Sequence, residues 1–197
     1  MRLFLASTIL IFTTAATTLI YHGTQQTDIN YYKGHRFFEK KSYAKAREFY
    51  KKSLSINPSY KPALRGLAYS YQWTGDFEEA IEIFNKFLSI EPEDYKIMFA
   101  LAETLAWNKE YEESTAVCKN IINSTGDIKA QILLGQVYIW NKQFDNAKKT
   151  LQTVLDKDPG NFQAELLYAK ALHYSGEAEK AIEIYKKLLK RKKNKGK

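Results

Sequence analysis

Four aromatic residues recur at a nearly constant interval and could form a binding surface. They are Trp73, Trp107, Trp140 and Tyr174, and the steps between them are 34, 33 and 34 residues. Large flat rings provide contact area at a low conformational cost. A fixed long interval indicates that one structural unit is repeated and that each copy presents its ring at the same place. These rings are therefore the first candidates for contact with a ligand.

Residues that often carry catalysis form no recognisable arrangement. His22, His35 and His173 are far apart in sequence, with no metal-ligand spacing and no nucleophile nearby. The paired carboxylates Glu78-Glu79 and Glu112-Glu113 lie where helices are predicted to begin, and there they favour the helix N-terminus electrostatically. No glycine-rich phosphate loop is present. We therefore expect no enzymatic activity, no cofactor and no metal site.

The sequence around the rings repeats with a period near 34 residues. Small residues fill one repeat position, where a bulky side chain would separate two packed helices: Gly34, Ala68, Ala102, Gly135 and Ala169. A second such position holds Ala46, Ala80, Ser114, Ala147 and Ala181. Pro58, Pro92 and Pro159 follow the second helix of a pair, because proline cannot continue the hydrogen-bond ladder. The pattern predicts an all-α protein of helix-turn-helix pairs.

These positions resemble the tetratricopeptide repeat pattern. It is matched in order by Leu67, Ala68, Tyr71, Ala80, Phe84 and Pro92, and again by Leu134, Gly135, Tyr138, Ala147, Leu151 and Pro159. The resemblance implies a right-handed superhelical solenoid of five repeats, at 27–60, 61–94, 95–127, 128–161 and 162–193. Gly126 replaces the proline in the third repeat. Ser114 and Cys118 depart from the pattern there and predict looser packing.

Cys118 is the only cysteine of the sequence, and its repeat position indicates a structural role. The other copies carry Tyr50, Phe84, Leu151 and Tyr185 at that position. Free cysteine is among the most frequently buried residue types. We interpret Cys118 as a small core residue.

The resemblance also implies a concave groove lined by the first helix of each repeat. The candidate ligand-binding residues transferred in this way are Tyr31, Phe38, Arg65, Tyr69, Trp73, Glu103, Trp107, Gln136, Trp140, Lys170 and Tyr174. Positions that face the same groove hold His35, Glu39, Gln72, Phe99, Ile132, Leu166 and His173. The lysine and asparagine arrangement that grips C-terminal carboxylates in chaperone-binding members is missing. A heat-shock-protein adaptor is therefore not expected.

Three interpretations of the rings remain open. In the first, the groove binds a protein or peptide partner and the chain is a non-enzymatic scaffold for complex assembly. In the second, the rings stack on a polysaccharide, because Trp140 followed by Asn-Lys and Trp73 followed by Thr-Gly resemble tetratricopeptide domains of bacterial exopolysaccharide secretion proteins. In the third, each ring packs against the next repeat as a core residue.

The N-terminus predicts export or membrane attachment. Residues 3–21 contain no charged side chain and follow a single Arg2, and 19 such residues can span a bilayer. Thr14 and Ala16 satisfy a signal-peptidase site loosely. Residues 1–24 are thus interpreted as a signal peptide or as a membrane anchor. The protein is expected to be periplasmic or secreted in the first case, and single-pass membrane-anchored in the second.

The net charge of +8 is concentrated at the C-terminus. Eight of the 30 basic residues lie between Lys186 and Lys197, so the other 22 balance the 22 acidic residues. A neutral body argues against a nucleic-acid partner. The basic tail at 190–197 is interpreted either as a solvated helix end or as a contact for anionic lipid or an acidic partner.

The last helix has no polar capping helix after it, so the face with Ile182, Tyr185 and Leu189 predicts self-association or a docked partner.

Overall fold

The computed structural model describes residues 22–195, and every regular element in that range is an α-helix. The chain divides into two compact units, Met1–Pro92 and Glu93–Lys197. Residues 1–21 of the predicted leader lie outside the described residues. Among residues 22–195, no helix combines the length and the apolar character needed to cross a bilayer.

The first unit contains two helix pairs. Helix α1 covers residues 22–39, and α2 covers Tyr43–Ile56. Helix α3 runs over Lys61–Gln72 and α4 over Phe77–Ile90. Helices α2 and α4 both end two residues before a proline, as predicted from Pro58 and Pro92, because the proline ring excludes a further helical turn.

The second unit contains three helix pairs. Its helices are α5 Tyr95–Trp107, α6 Tyr111–Thr125, α7 Ile128–Trp140, α8 Phe144–Lys157, α9 Phe162–Tyr174 and α10 Ala178–Lys195. The first helix of each pair has a capping side chain, since Asp94, Asp127 and Asn161 accept hydrogen bonds from backbone amides of the first turn. Gly126 ends α6 in a left-handed conformation with φ 69°, which glycine adopts without strain.

The turns within the pairs share one backbone conformation that the sequence pattern did not reveal. Gly75 and Gly176 have φ values of 82° and 89°. Lys41, Lys109 and Lys142 take the same left-handed conformation at the equivalent positions, with φ values of 57°, 66° and 58°. Each of these turns closes with the paired hydrogen bonds that terminate a helix at a left-handed residue. Lysine is tolerated here because the hydrogen bonds of the turn offset its backbone strain.

Close packing inside each unit explains the small residues. The buried Tyr50 ring lies against both Gly34 and Gly66, where an added Cβ would be 2.8 Å from Cδ1 and 2.4 Å from Cζ respectively. In the second unit, a Cβ on Gly135 would be 2.6 Å from Leu151 Cγ. These helices therefore approach at distances that leave no room for a larger side chain.

The two residues of the third repeat that depart from the family pattern are both in the core. Ser114 and Cys118 are both 0% exposed. The Ser114 hydroxyl donates a hydrogen bond to the carbonyl of Ala102 at 2.8 Å, so its polar group is satisfied in the core. Burial also raises the pKa of the Cys118 thiol to about 12. The interpretation of Cys118 as a small core residue is confirmed.

Two basic residues near the C-terminus have an intramolecular role. The Glu165 side chain on α9 is only 6% exposed, and it accepts hydrogen bonds from Lys187 Nζ at 2.8 Å and from Arg191 Nη1. Arg191 Nη2 also donates to the carbonyl of Gly160 at 2.8 Å. The segment predicted as a basic tail thus begins inside α10, and one of its cations is held against the body of the protein.

The apolar face of α10 is solvent-accessible, as the sequence suggested. Ile182 and Leu189 are exposed, whereas Tyr185 is half-buried. Self-association or docking of a partner through this face stays a prediction.

Replacement of Arg191 by alanine should destabilise the second unit, because the nearly buried Glu165 carboxylate loses one of its two cationic hydrogen-bond donors. We expect Arg191→Ala to lower the free energy of unfolding by about 1–3 kcal/mol. The matched control is Lys192→Ala, which removes the same charge from an exposed position of α10. Urea unfolding followed by circular dichroism measures both. Equal effects of the two variants would contradict the structural role of Arg191.

Candidate functional site: an aromatic groove in the second unit

The rings of the aromatic series are at the surface. Trp73 is 66% exposed, Trp107 44%, Trp140 40% and Tyr174 57%. The core of the same helices consists of other residues, such as Leu101 and Leu134. The rings are therefore surface residues rather than members of the buried core. Whether they bind a ligand or pack against the next repeat stays a prediction.

Two adjoining cavities lie along the first helices of the second unit. The first has a volume of about 380 Å³ and is lined by Phe99, Glu103, Trp107, Lys129, Ile132, Leu133, Gln136, Trp140 and Gln163. The second has a volume of about 340 Å³ and is lined by Gln136, Ile139, Trp140, Lys142, Phe144, Lys170 and Tyr174. They share Gln136 and Trp140, so we call them together the unit-2 groove.

Helix periodicity explains why these side chains converge. Phe99, Glu103 and Trp107 follow one another at intervals of four residues on α5, and Gln136 and Trp140 do so on α7. Residues four apart lie on the same face of a helix. Each first helix of the unit therefore presents a column of side chains that ends in a ring.

The ring of Tyr174 is held by a residue that the sequence analysis did not select. Phe144, the first residue of α8, stacks against Tyr174 with ring centroids 5.8 Å apart and an interplanar angle of 27°. Tyr43, Phe77 and Tyr111 begin α2, α4 and α6 at the same repeat position, whereas α10 begins with Ala178. The 34-residue period thus contained the signal for this position, but only the fold shows that Phe144 reaches the groove.

Charged groups divide the groove into two different parts. The first cavity contains the carboxylate of Glu103, which is half-buried, and burial raises the pKa of this carboxyl above its usual value. The second cavity contains the ammonium groups of Lys142 and Lys170 and no carboxylate. Lys129 also lines the first cavity, so that cavity carries one charged group of each sign, whereas the charged groups of the second cavity are both cationic.

The structure brings together six of the candidate residues. Glu103, Trp107, Gln136, Trp140, Lys170 and Tyr174 all line the unit-2 groove. Lys129, Leu133, Ile139, Lys142, Phe144 and Gln163 also line it and were not selected from the sequence. As a ligand-binding set these residues remain a prediction.

The other five candidates belong to the first unit and have different environments. Tyr31 stacks on His35 and meets the Tyr60 ring edge-on. Phe38 and Tyr69 also make edge-on contacts, with Tyr43 and Phe84 respectively. Arg65 and Trp73 are exposed. In Tyr31, Phe38 and Tyr69 much of the ring is used for packing inside the unit.

The first unit has a separate basic cleft. A cavity of about 330 Å³ is lined by Lys33, Arg36, Phe37, Lys40 and Phe49. The two phenyl rings are stacked, with centroids 5.4 Å apart. No cluster of three or more His, Cys, Asp or Glu side chains suited to a metal ion occurs in the described part of the chain.

Comparison with known proteins identifies the family. The tetratricopeptide repeat model matches residues 37–86, 74–137 and 141–195, which together make up most of the chain. The chain belongs to the tetratricopeptide repeat family. Proteins of this family are generally non-enzymatic scaffolds that bind protein or peptide partners. No curated protein matches the sequence significantly.

Solved tetratricopeptide repeat structures share the fold. MamA from Desulfovibrio magneticus RS-1 superposes with a TM-score of 0.78 at 18% identity, covering 86% of this chain and 96% of its own. YrrB, described as having an unusual peptide-binding site, gives 0.69 at 20% identity, with 88% and 90% covered. PilF of Pseudomonas aeruginosa gives 0.66 at 20% identity, with 86% and 78% covered. At these identities the likeness establishes the all-α repeat fold, which confirms the fold class predicted from the sequence.

Proposed function

We propose that the unit-2 groove binds a segment of a partner protein and that the chain is a scaffold for complex assembly. The observation that carries this proposal is the set of three partly exposed rings, Trp107, Trp140 and Tyr174, which line two adjoining cavities. Rings of this kind supply most of the binding energy where they fill pockets on a partner surface. The peptide-binding site of the structurally similar YrrB agrees with this use of the fold.

The polar composition of the groove favours a peptide. Gln136, which borders both cavities, and Gln163 carry amide groups that can donate to and accept from a peptide backbone. Glu103 and Lys170 add charges of opposite sign in the two cavities. A neutral polysaccharide would leave these charges without a counter-ion, so charge complementarity supports a peptide.

The polysaccharide alternative is supported by the exposed rings and by the resemblance of the segments that follow Trp73 and Trp140. Binding arrays distinguish the two classes of ligand. The full chain, kept in solution with a non-ionic detergent, is applied to an array of 12-residue peptides and to a glycan array. Binding to a subset of peptides and to no glycan is the expected result. Selective binding to glycans without peptide binding would overturn the proposal in favour of the polysaccharide.

We also propose that the scaffold acts in an exported compartment or beside a membrane. The support is the uncharged run at residues 3–21 behind Arg2. The mass of the mature protein measures the outcome, because a cleaved signal peptide removes the leader whereas an anchor retains it. An intact protein found only in the soluble cytosolic fraction would contradict this location.

A further inference from the structure

Glu103 is a carboxylate without a counter-ion in the middle of an aromatic column. It lies on α5 with Phe99 one turn before it and Trp107 one turn after it, and all three line the first cavity of the unit-2 groove. The residue is half-buried. Among the side chains of residues 22–193, no ion pair involves Glu103. By contrast, the nearly buried Glu165 is paired with two cations.

This environment is unfavourable for the ionised carboxylate in the unliganded protein. Partial removal from water disfavours the charged form, and burial accordingly raises the pKa of Glu103. A ligand cation placed beside the carboxylate would restore the lost electrostatic stabilisation. Because Glu103 is half-buried, part of the cost of desolvating its carboxylate is already present before the ligand arrives, and that part does not oppose binding of the cation.

The indole rings that line the cavity with Glu103 also favour a cationic group. Trp107 and Trp140 line the cavity together with Glu103. The face of an indole ring attracts a cation, and a guanidinium can stack on that face while it donates two hydrogen bonds to a carboxylate. An ammonium group is more strongly hydrated and cannot form the planar double contact. Arginine therefore fits this cavity better than lysine.

The other charged and titratable groups near Glu103 do not change the preference for arginine. Lys129 of α7 lines the same cavity, but its side chain is exposed and its charge is screened by solvent. On α6, the Cys118 thiol lies within electrostatic range of Glu103, and because burial raises its pKa to about 12 it is uncharged at neutral pH. Gln136 and Gln163 are neutral.

We propose that Glu103, Trp107 and Trp140 form a subsite for an arginine side chain of the bound peptide. This inference rests on the proposed function, since it assumes that the unit-2 groove binds a peptide. It specifies the partner as a segment with an arginine that stacks on an indole ring and pairs with Glu103. The cationic second cavity, with Lys142 and Lys170, then faces a part of the peptide that is neutral or acidic.

The test compares charge variants of peptides with charge variants of the protein. Arginine-containing peptides that bind the full chain on the array are synthesised in three forms, with arginine, citrulline or glutamate at each arginine position. The affinity of each form for the protein is measured by fluorescence anisotropy. Citrulline has the shape of arginine without its charge. We expect the citrulline form to bind the wild-type protein at least tenfold more weakly, as for the loss of a charge-assisted hydrogen bond. Glu103→Gln should weaken the arginine form equally and leave the citrulline form unchanged.

The matched control is Glu113→Gln, which removes one carboxylate from an exposed position of α6. This variant should bind the arginine form like the wild type. Acidification provides a second readout. The cation pairs only with ionised Glu103, so affinity should be lost as the pH falls through the raised pKa of this group, at a higher pH than for an exposed glutamate. Glu103→Gln should abolish that step.

The outcomes separate the subsite from the groove. If peptides bind in a manner that depends on Trp140 but arginine and citrulline forms bind equally, the arginine subsite is rejected and the groove function stands. If no peptide binds in a Trp140-dependent manner, both proposals are overturned. The arginine-to-citrulline comparison uses the wild-type protein, so a folding defect of Glu103→Gln would not obscure the result.

Discussion

Trp140→Ala is expected to lower the affinity of the protein for groove-bound peptides by about 30-fold or more. Trp140 lines both cavities of the unit-2 groove, so its truncation removes aromatic contact surface from each of them. Central aromatic residues of this kind contribute about 2 kcal/mol or more when truncated, which is the stated change in affinity. Fluorescence anisotropy with the array-selected peptides measures the effect.

The fold should tolerate the loss of the Trp140 ring. Trp140 is the last residue of α7 and is 40% exposed. We expect the melting temperature to fall by about 2–4 °C, which corresponds to roughly 1 kcal/mol for a chain of this size. The matched control is Phe162→Ala, which removes a ring of similar exposure, 47%, that lines neither cavity. A similar loss of affinity in both variants would contradict a specific role for Trp140.

Phe84→Ala should have the largest effect on stability. The Phe84 side chain on α4 is 0% exposed, and the Tyr69 ring meets it edge-on at a centroid distance of 5.3 Å. Its removal leaves a cavity in the first unit, because the glycine and alanine contacts of the neighbouring helices are already tight. We expect the free energy of unfolding to fall by about 3–5 kcal/mol.

Trp73→Ala provides the comparison for Phe84 within the same unit. Its ring is 66% exposed, so the expected loss of stability is within about 0.5 kcal/mol, as for most surface substitutions. Urea unfolding followed by circular dichroism measures both variants. If Trp73→Ala destabilised the unit as much as Phe84→Ala, the ring at the end of α3 would be a packing residue after all.

Much of the candidate site could be predicted from the residues of the first helices. Glu103, Trp107, Gln136 and Trp140 were selected because the resemblance to tetratricopeptide repeats implies that they face the groove. Their four-residue spacing within each first helix agrees with that placement. Phe144 was missed because it begins a second helix, and its approach to Tyr174 depends on how the turn at Lys142 folds back. In the first unit, Tyr69 was selected as a ligand contact although much of its ring packs against Phe84.

The sequence by itself determined the repeat, the all-α fold and the helix ends, because each depends on local chemistry. Small residues recur where helices touch, Pro58 and Pro92 exclude further helical turns, and Gly126 permits a left-handed helix end. These effects act over a few residues and repeat with the period, so they can be recognised without a structure.

Only the tertiary structure decided which charged and aromatic groups are available to a ligand. The carboxylates of Glu103 and Glu165 are both on first helices, yet Glu165 is neutralised by Lys187 and Arg191 from α10 whereas Glu103 has no such partner among the described residues. Exposure of Trp140 likewise depends on which neighbouring helices cover it. Burial and ion pairing arise from side chains brought together from separate helices, and the order of residues along one helix does not encode that geometry.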